Sequence, residues 1–121
     1  MGFLSGIFGG AADWDGANYV AKLSGSKFWH KNFIDKDQMR RAGVAIAVEL
    51  DPLNMAPREP QSIKTIVGEL IYLLETCETQ NDKAGARNVA RAIQHLLSNN
   101  GDGLPVFADM KLITTSYQDY L

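Results

Sequence analysis

Between Pro60 and Gln80 the apolar residues Ile63, Ile66, Val67, Leu70, Ile71, Leu74 and Cys77 recur every three or four positions. That spacing gathers them on one arc of a helix, whereas a strand would scatter them over both of its faces. Pro60 suits a first helical turn, where its missing N–H costs nothing. Glu69, Glu75 and Thr76 fall away from the centre of the arc. After Gln80-Asn81-Asp82 a second pattern of the same period begins, with Ala86, Val89, Ala90, Ile93, Leu96 and Leu97 on one face and Asn99-Asn100-Gly101 ending it. So short a connection predicts a central antiparallel helical hairpin. Its apolar stripes need cover from further elements, and these also read as helices.

Upstream, Asp13 or Asp15 can cap a short helix through Tyr19, Val20 and Leu23, which Gly25 ends. An aromatic cluster of Phe28, Trp29 and Phe33 follows, with Ile34. Asp35 is placed to cap a helix running to Leu50, and Pro52 stops its continuation. Val44, Ile46, Val48 and Leu50 alternate with Ala45, Ala47 and Glu49, as they would in a strand. The charged lead from Asp35 to Arg41 and the interspersed alanines favour a helix buried on most sides. A last helix is expected from about Phe107 to the C-terminus, with Met110, Ile113, Tyr117 and Leu121 packing inward. The fold class is therefore all-α, a single-domain bundle of four to five helices.

Composition agrees with one folded domain. The chain has 121 residues, 45% hydrophobic and 21% charged, so it has apolar surface enough for a core without disulfides or metal. Residues 1–10 read as a flexible or docking N-terminal segment set off by Gly9 and Gly10, which either folds back onto the core or docks on a partner or membrane surface, and residues 11–121 as the single helical domain. The stretch from Asp51 to Pro60 is the one plausible internal boundary and is too short to separate domains. The longest apolar run, Gly43 to Val48, is far too short to span a bilayer. No basic stretch followed by an apolar one predicts a secretory leader. The single cysteine, Cys77, allows no internal disulfide and fits a reducing, cytoplasmic setting.

The sequence carries no complete motif for catalysis or metal binding. His95 follows Arg91 after three intervening residues and Arg87 after seven, neither of which is the arginine–histidine spacing of helical ribonucleases. No Glu-x-x-His is present for a di-iron site, and His30, His95 and Cys77 are too few for structural zinc. Cys77 with His95 would make a thiol and its base, but Cys77 lies on the apolar arc, where a buried thiol is inert. Gly101-Asp102-Gly103 lacks the third glycine of a dinucleotide loop, and no phosphate-loop lysine follows any glycine run. Read as a calcium loop from Ser98, the same region offers Asn100, Asp102, Gly103 and Asp109. It has Ser in place of the first Asp, Asp in place of the last Glu, and Pro105 where the loop backbone should pair. No cofactor and no metal are expected.

The formal charge of −2 hides alternating blocks. Residues 22–41 carry +4, residues 42–82 carry −5 and residues 83–95 carry +3. Within the last block Lys83, Arg87, Arg91 and His95 recur every four residues, a basic ridge opposite the apolar face of their helix. Such a ridge is either a solvated face neutralised by the acidic block of the preceding helix or an anchor for an acidic partner. Phe3, Leu4, Ile7 and Phe8 form a secondary docking candidate, without the lysines that attract anionic lipid. The expected function is protein–protein contact with an acidic surface, as an adaptor, inhibitor or immunity-type partner, rather than catalysis. One alternative is a nucleic-acid-associated regulator using the ridge with Lys22, Lys27, Lys31, Arg40 and Arg41, disfavoured by the acidic overall charge. Another is an enzyme whose site forms only on oligomerisation.

Overall fold

The computed structural model describes residues 16–25, 36–51, 53–100 and 117–121. These residues are mostly helical. Residues 16–24 form α1, Lys36–Val48 form α2, Pro60–Thr79 form α3 and Lys83–Asn100 form α4. A short 3-10 turn, Gln118–Tyr120, follows the helical Tyr117. The proposed caps Asp13, Asp15 and Asp35, the cluster Phe28, Trp29, Phe33 and Ile34, and the residues Phe107, Met110 and Ile113 lie outside the described residues.

α1 buries Ala17, Tyr19, Val20 and Ala21, and ends at Gly25, whose φ of +74° is open to glycine at little cost. α2 buries Met39, Ala42 and Ile46, and its Gly43 faces Gly16 of α1 at close range. α3 packs against both α2 and α4, and so buries more than one stripe: Ile63, Ile66, Val67, Leu70, Leu73, Leu74 and Cys77. Leu73 joins the expected arc, while Ile71 is only half-buried. α4 buries Ala86, Val89, Ala90, Ala92, Ile93 and Leu96, and these side chains share one core with those of α1, α2 and α3.

Two expectations need correction. The helix does not reach Leu50, and the fold is not helical throughout. α2 stops at Val48, and Leu50–Asp51 (β1) pairs antiparallel with Ala56–Pro57 (β2), Leu50 opposite Pro57 and Asp51 opposite Ala56. The cause is local. The proline after Asp51 disfavours helical backbone at Asp51. The Asp51 carboxylate then accepts from the Leu53 amide at 3.0 Å and from Asn54 Nδ2 at 2.8 Å, closing a turn. Arg58 Nε donates to the Leu50 carbonyl at 2.9 Å across the ribbon, and Ser62 Oγ donates to Glu49 Oε2 at 3.2 Å, which ties α3 to the turn between α2 and β1.

The second correction concerns the C-terminus. Tyr117 is buried, as expected, but Leu121 is half exposed and Tyr120 packs against the core instead. In a 3-10 turn the residues that share a side are three apart, not four, so Tyr120 takes the place assigned to Leu121.

Candidate interaction surface

Lys83, Arg87, Arg91 and His95 project from α4 on the side away from its buried face, and all four are exposed. The helix that carries them is fixed at its start. Asp82 accepts the Gly85 amide at Oδ1 (3.0 Å), an N-cap that satisfies one of the helix's orphan donors, and its carbonyl accepts the first intrahelical bond, from the Ala86 amide at 3.0 Å. Neutralisation by α3 is not what holds the ridge. Glu75 and Glu78 of α3 are exposed, and no ion pair joins Lys83, Arg87 or Arg91 to a carboxylate among the described residues. By contrast, Arg40 on α2 pairs with Asp37 at 3.6 Å, both side chains well exposed.

Of the basic residues of the alternative reading, Lys22, Arg40 and Arg41 are described. All three are exposed; Lys22 shares a cleft with Arg91 and His95 between α1 and α4, and Arg40 and Arg41 do not line it. Lys27, Lys31 and His30 lie outside the described residues, as do Phe3, Leu4, Ile7 and Phe8.

Cys77 is buried, and its thiol is pushed up to about 12, chiefly by burial and further by the neighbouring charges of Asp82 and Glu78. It stays protonated at neutral pH. It also lines a cleft with Glu78, Asp82 and Lys83, whereas His95 lines two others, so the structure does not bring thiol and imidazole together. Ser98 and Asn100, the first and third positions of the calcium loop, are part of α4. Helical backbone there is incompatible with a ligand loop beginning at Ser98. Asp102, Gly103 and Asp109 lie outside the described residues. Among the described residues no three His, Cys, Asp or Glu side chains are grouped to hold a metal ion, and no helix is long and apolar enough to cross a membrane.

The cleft was not foreseen. Its walls come from α1, α4 and the β1–β2 ribbon, and nothing in the spacing of any one segment announces it. No family model matches the chain, and neither the curated proteins nor the solved structures include a significant match.

Proposed function

We propose that this chain acts by binding a protein with an acidic surface, through Lys83, Arg87, Arg91 and His95, and that it catalyses no reaction. The observation that carries this is the row of exposed Lys83, Arg87 and Arg91 at one-turn spacing on α4, none of them ion-paired to a carboxylate among the described residues. A rigid, capped helix presents these side chains at fixed spacing, so no backbone ordering is added to the cost of docking a partner. Arg87 and Arg91 contribute more than Lys83, because a guanidinium makes paired bonds to a carboxylate. In this reading α3 and α4 form the antiparallel hairpin at the centre of a helical bundle, and α4 displays its outer face. An adaptor, inhibitor or immunity-type partner working in the cytoplasm is the role that fits. The segment containing Phe3, Leu4, Ile7 and Phe8 is a second docking candidate.

The test is a double charge reversal, Arg87→Glu with Arg91→Glu, in the full chain. Capture from the native host should then lose its partner while the helical signal and melting curve stay nearly unchanged. Binding that survives the reversal but fails on removal of residues 1–10 places the contact at the N-terminal segment. Binding to an oligonucleotide with a steep loss of affinity as salt rises indicates phosphate recognition instead.

A further inference from the structure

The cleft between α1 and α4 joins a cationic end to an apolar one. At the cationic end, Lys22 and Arg91 share a cavity of about 470 Å³ with Ser24, Gly25, His95 and Ser98. Lys22, Leu23 and His95 then continue into a neighbouring cavity of about 260 Å³, walled further by Tyr19, Met55, Pro57 and Leu96. Among the described residues no carboxylate lines either cavity. Neither Lys22 nor Arg91 is ion-paired among the described residues.

The local field favours an anion even after the helix end is counted. α1 terminates at this cavity, and the last carbonyls of a helix carry about half a negative charge. Lys22 and Arg91 bring two full positive charges, so a net positive potential remains. The Gly25 surface is open, since nothing lies within 4 Å of where a Cβ would stand. Ser24 is buried, and its Oγ is committed to the Ala21 carbonyl at 3.1 Å, so Lys22 and Arg91 carry the charge recognition of a ligand. At the other end Leu23 and Met55 are half-buried against the core and, with the half-buried Pro57, present apolar surface beside the charges.

We propose that this cleft is where the acidic partner enters. It takes a peptide segment whose Asp or Glu carboxylate lies on Lys22 and Arg91 and whose neighbouring aliphatic side chain lies on Leu23, Met55 and Pro57. The apolar wall is what selects a peptide over a phosphate chain, which offers no aliphatic group to cover it. This inference rests on the ridge as the partner-binding surface and narrows it: Arg91 and His95 line the cleft, while Lys83 and Arg87 line neither cavity.

The test titrates the blocked peptide acetyl-Asp-Glu-Leu-Leu-amide into the isotope-labelled full chain and follows amide shifts. Saturable shifts are expected at Leu23, Gly25, Met55 and His95. Lys22→Glu and Arg91→Glu, both at exposed positions, should weaken binding about tenfold or more with an unchanged helical signal. Lys83→Glu and Arg87→Glu should change it less than about twofold. A control peptide with serines in place of both leucines should bind more weakly. Shifts confined to Lys83 and Arg87 overturn the cleft and leave the ridge reading standing. Equal binding of the serine peptide removes the apolar half and overturns the proposal. Absence of shifts at millimolar peptide overturns it as well, and indifference to all four reversals overturns the ridge reading with it. A short single-stranded oligonucleotide that competes for the same residues more tightly than the peptide replaces the proposal with phosphate binding.

Discussion

A Cβ built on Gly16 would fall on the carbonyl oxygen of Gly43 and within 2.7 Å of its Cα. Both glycines are buried, so α1 lies on α2 with backbone against backbone. A side chain can rotate out of the way, but a helix backbone has to move as a unit. Gly16→Ala should therefore lift α1 off α2 and destabilise the protein by about 1–3 kcal/mol, read from the urea midpoint. Gly68→Ala is the control. Gly68 is exposed on α3 with nothing within 4 Å of its Cβ position, so the same substitution should stabilise by up to about 1 kcal/mol through helix propensity. Equal effects at the two sites would rule out the close approach of α1 and α2.

Asp82 couples a cap to a packing restraint. Its Oδ1 accepts the Gly85 amide, while Oδ2 is buried with no hydrogen-bond partner among the described residues. A Cβ on Gly85 would meet Oδ2 and stand 2.9 Å from Cγ and 3.1 Å from Cys77 Sγ. Gly85→Ala therefore gains about 1 kcal/mol of propensity and forfeits a cap worth about 1 kcal/mol, leaving little net change. With Asp82→Ala already made, only the tight contact with Cys77 Sγ remains, and Gly85→Ala should stabilise by up to about 1 kcal/mol. A double-mutant cycle over these two positions should show coupling of about that size. Additive single effects would sink the idea.

Cys77 gives a stability profile with a definite sign. Burial, then Asp82 and Glu78, raise its thiol from an ordinary 9.0 to about 12 in the fold. Below pH 9 both folded and unfolded chains hold the proton, and the full contribution is present. As pH climbs from 9 towards 12 the unfolded thiol ionises while the folded one does not, so stability is lost. Tyr19, raised from 10.0 to about 12 by burial, adds a loss of the same sign at higher pH. Urea unfolding between pH 8 and 10 should thus fall more steeply for the native chain than for Cys77→Ala. Parallel curves, or rapid thiol labelling without denaturant, would show the thiol is not held in this way.

What the sequence announces and what it hides follow from how far apart the cooperating residues lie. The faces of α3 and α4 repeat within one element, so Ile63 to Cys77 and Ala86 to Leu96 are visible from spacing alone. Leu73 is missed because α3 is covered by α2 on one side and α4 on another, which widens the buried stripe beyond a single arc. The β1–β2 pairing spans two residues on each side, too few for an alternating pattern to register, and is set by the hydrogen bonds of Asp51 rather than by hydrophobicity. The ridge on α4 is legible as a spacing of four. The cleft is not, because Lys22, Met55 and Arg91 come together only through the packing of three elements.

The turn between α3 and α4 supplies the last prediction. Asn81 has φ +57°, the left-handed backbone that ends many helices. Its amide donates to the Glu78 carbonyl at 3.1 Å, and the next amide, Asp82, donates to the Cys77 carbonyl at 2.8 Å. That pair of bonds is the Schellman closure, here with asparagine where glycine is commonest. Asn81 is exposed, so substitution removes no packing and reads the backbone directly. Asn81→Ala should destabilise by about 1–2 kcal/mol, the cost of a Cβ in left-handed backbone without the amide's local hydrogen bonding. Asn81→Gly should be neutral or stabilising, since glycine meets no such penalty. The two variants change exposed polar surface similarly, so a difference between them isolates conformation from solvation. Because Asp82 closes α3 with its amide and opens α4 with its carboxylate, strain at Asn81 passes straight into the α4 cap. Amide exchange at Gly85 should therefore quicken in Asn81→Ala and not in Asn81→Gly. Unchanged protection in both would mean that the two helix ends are independent.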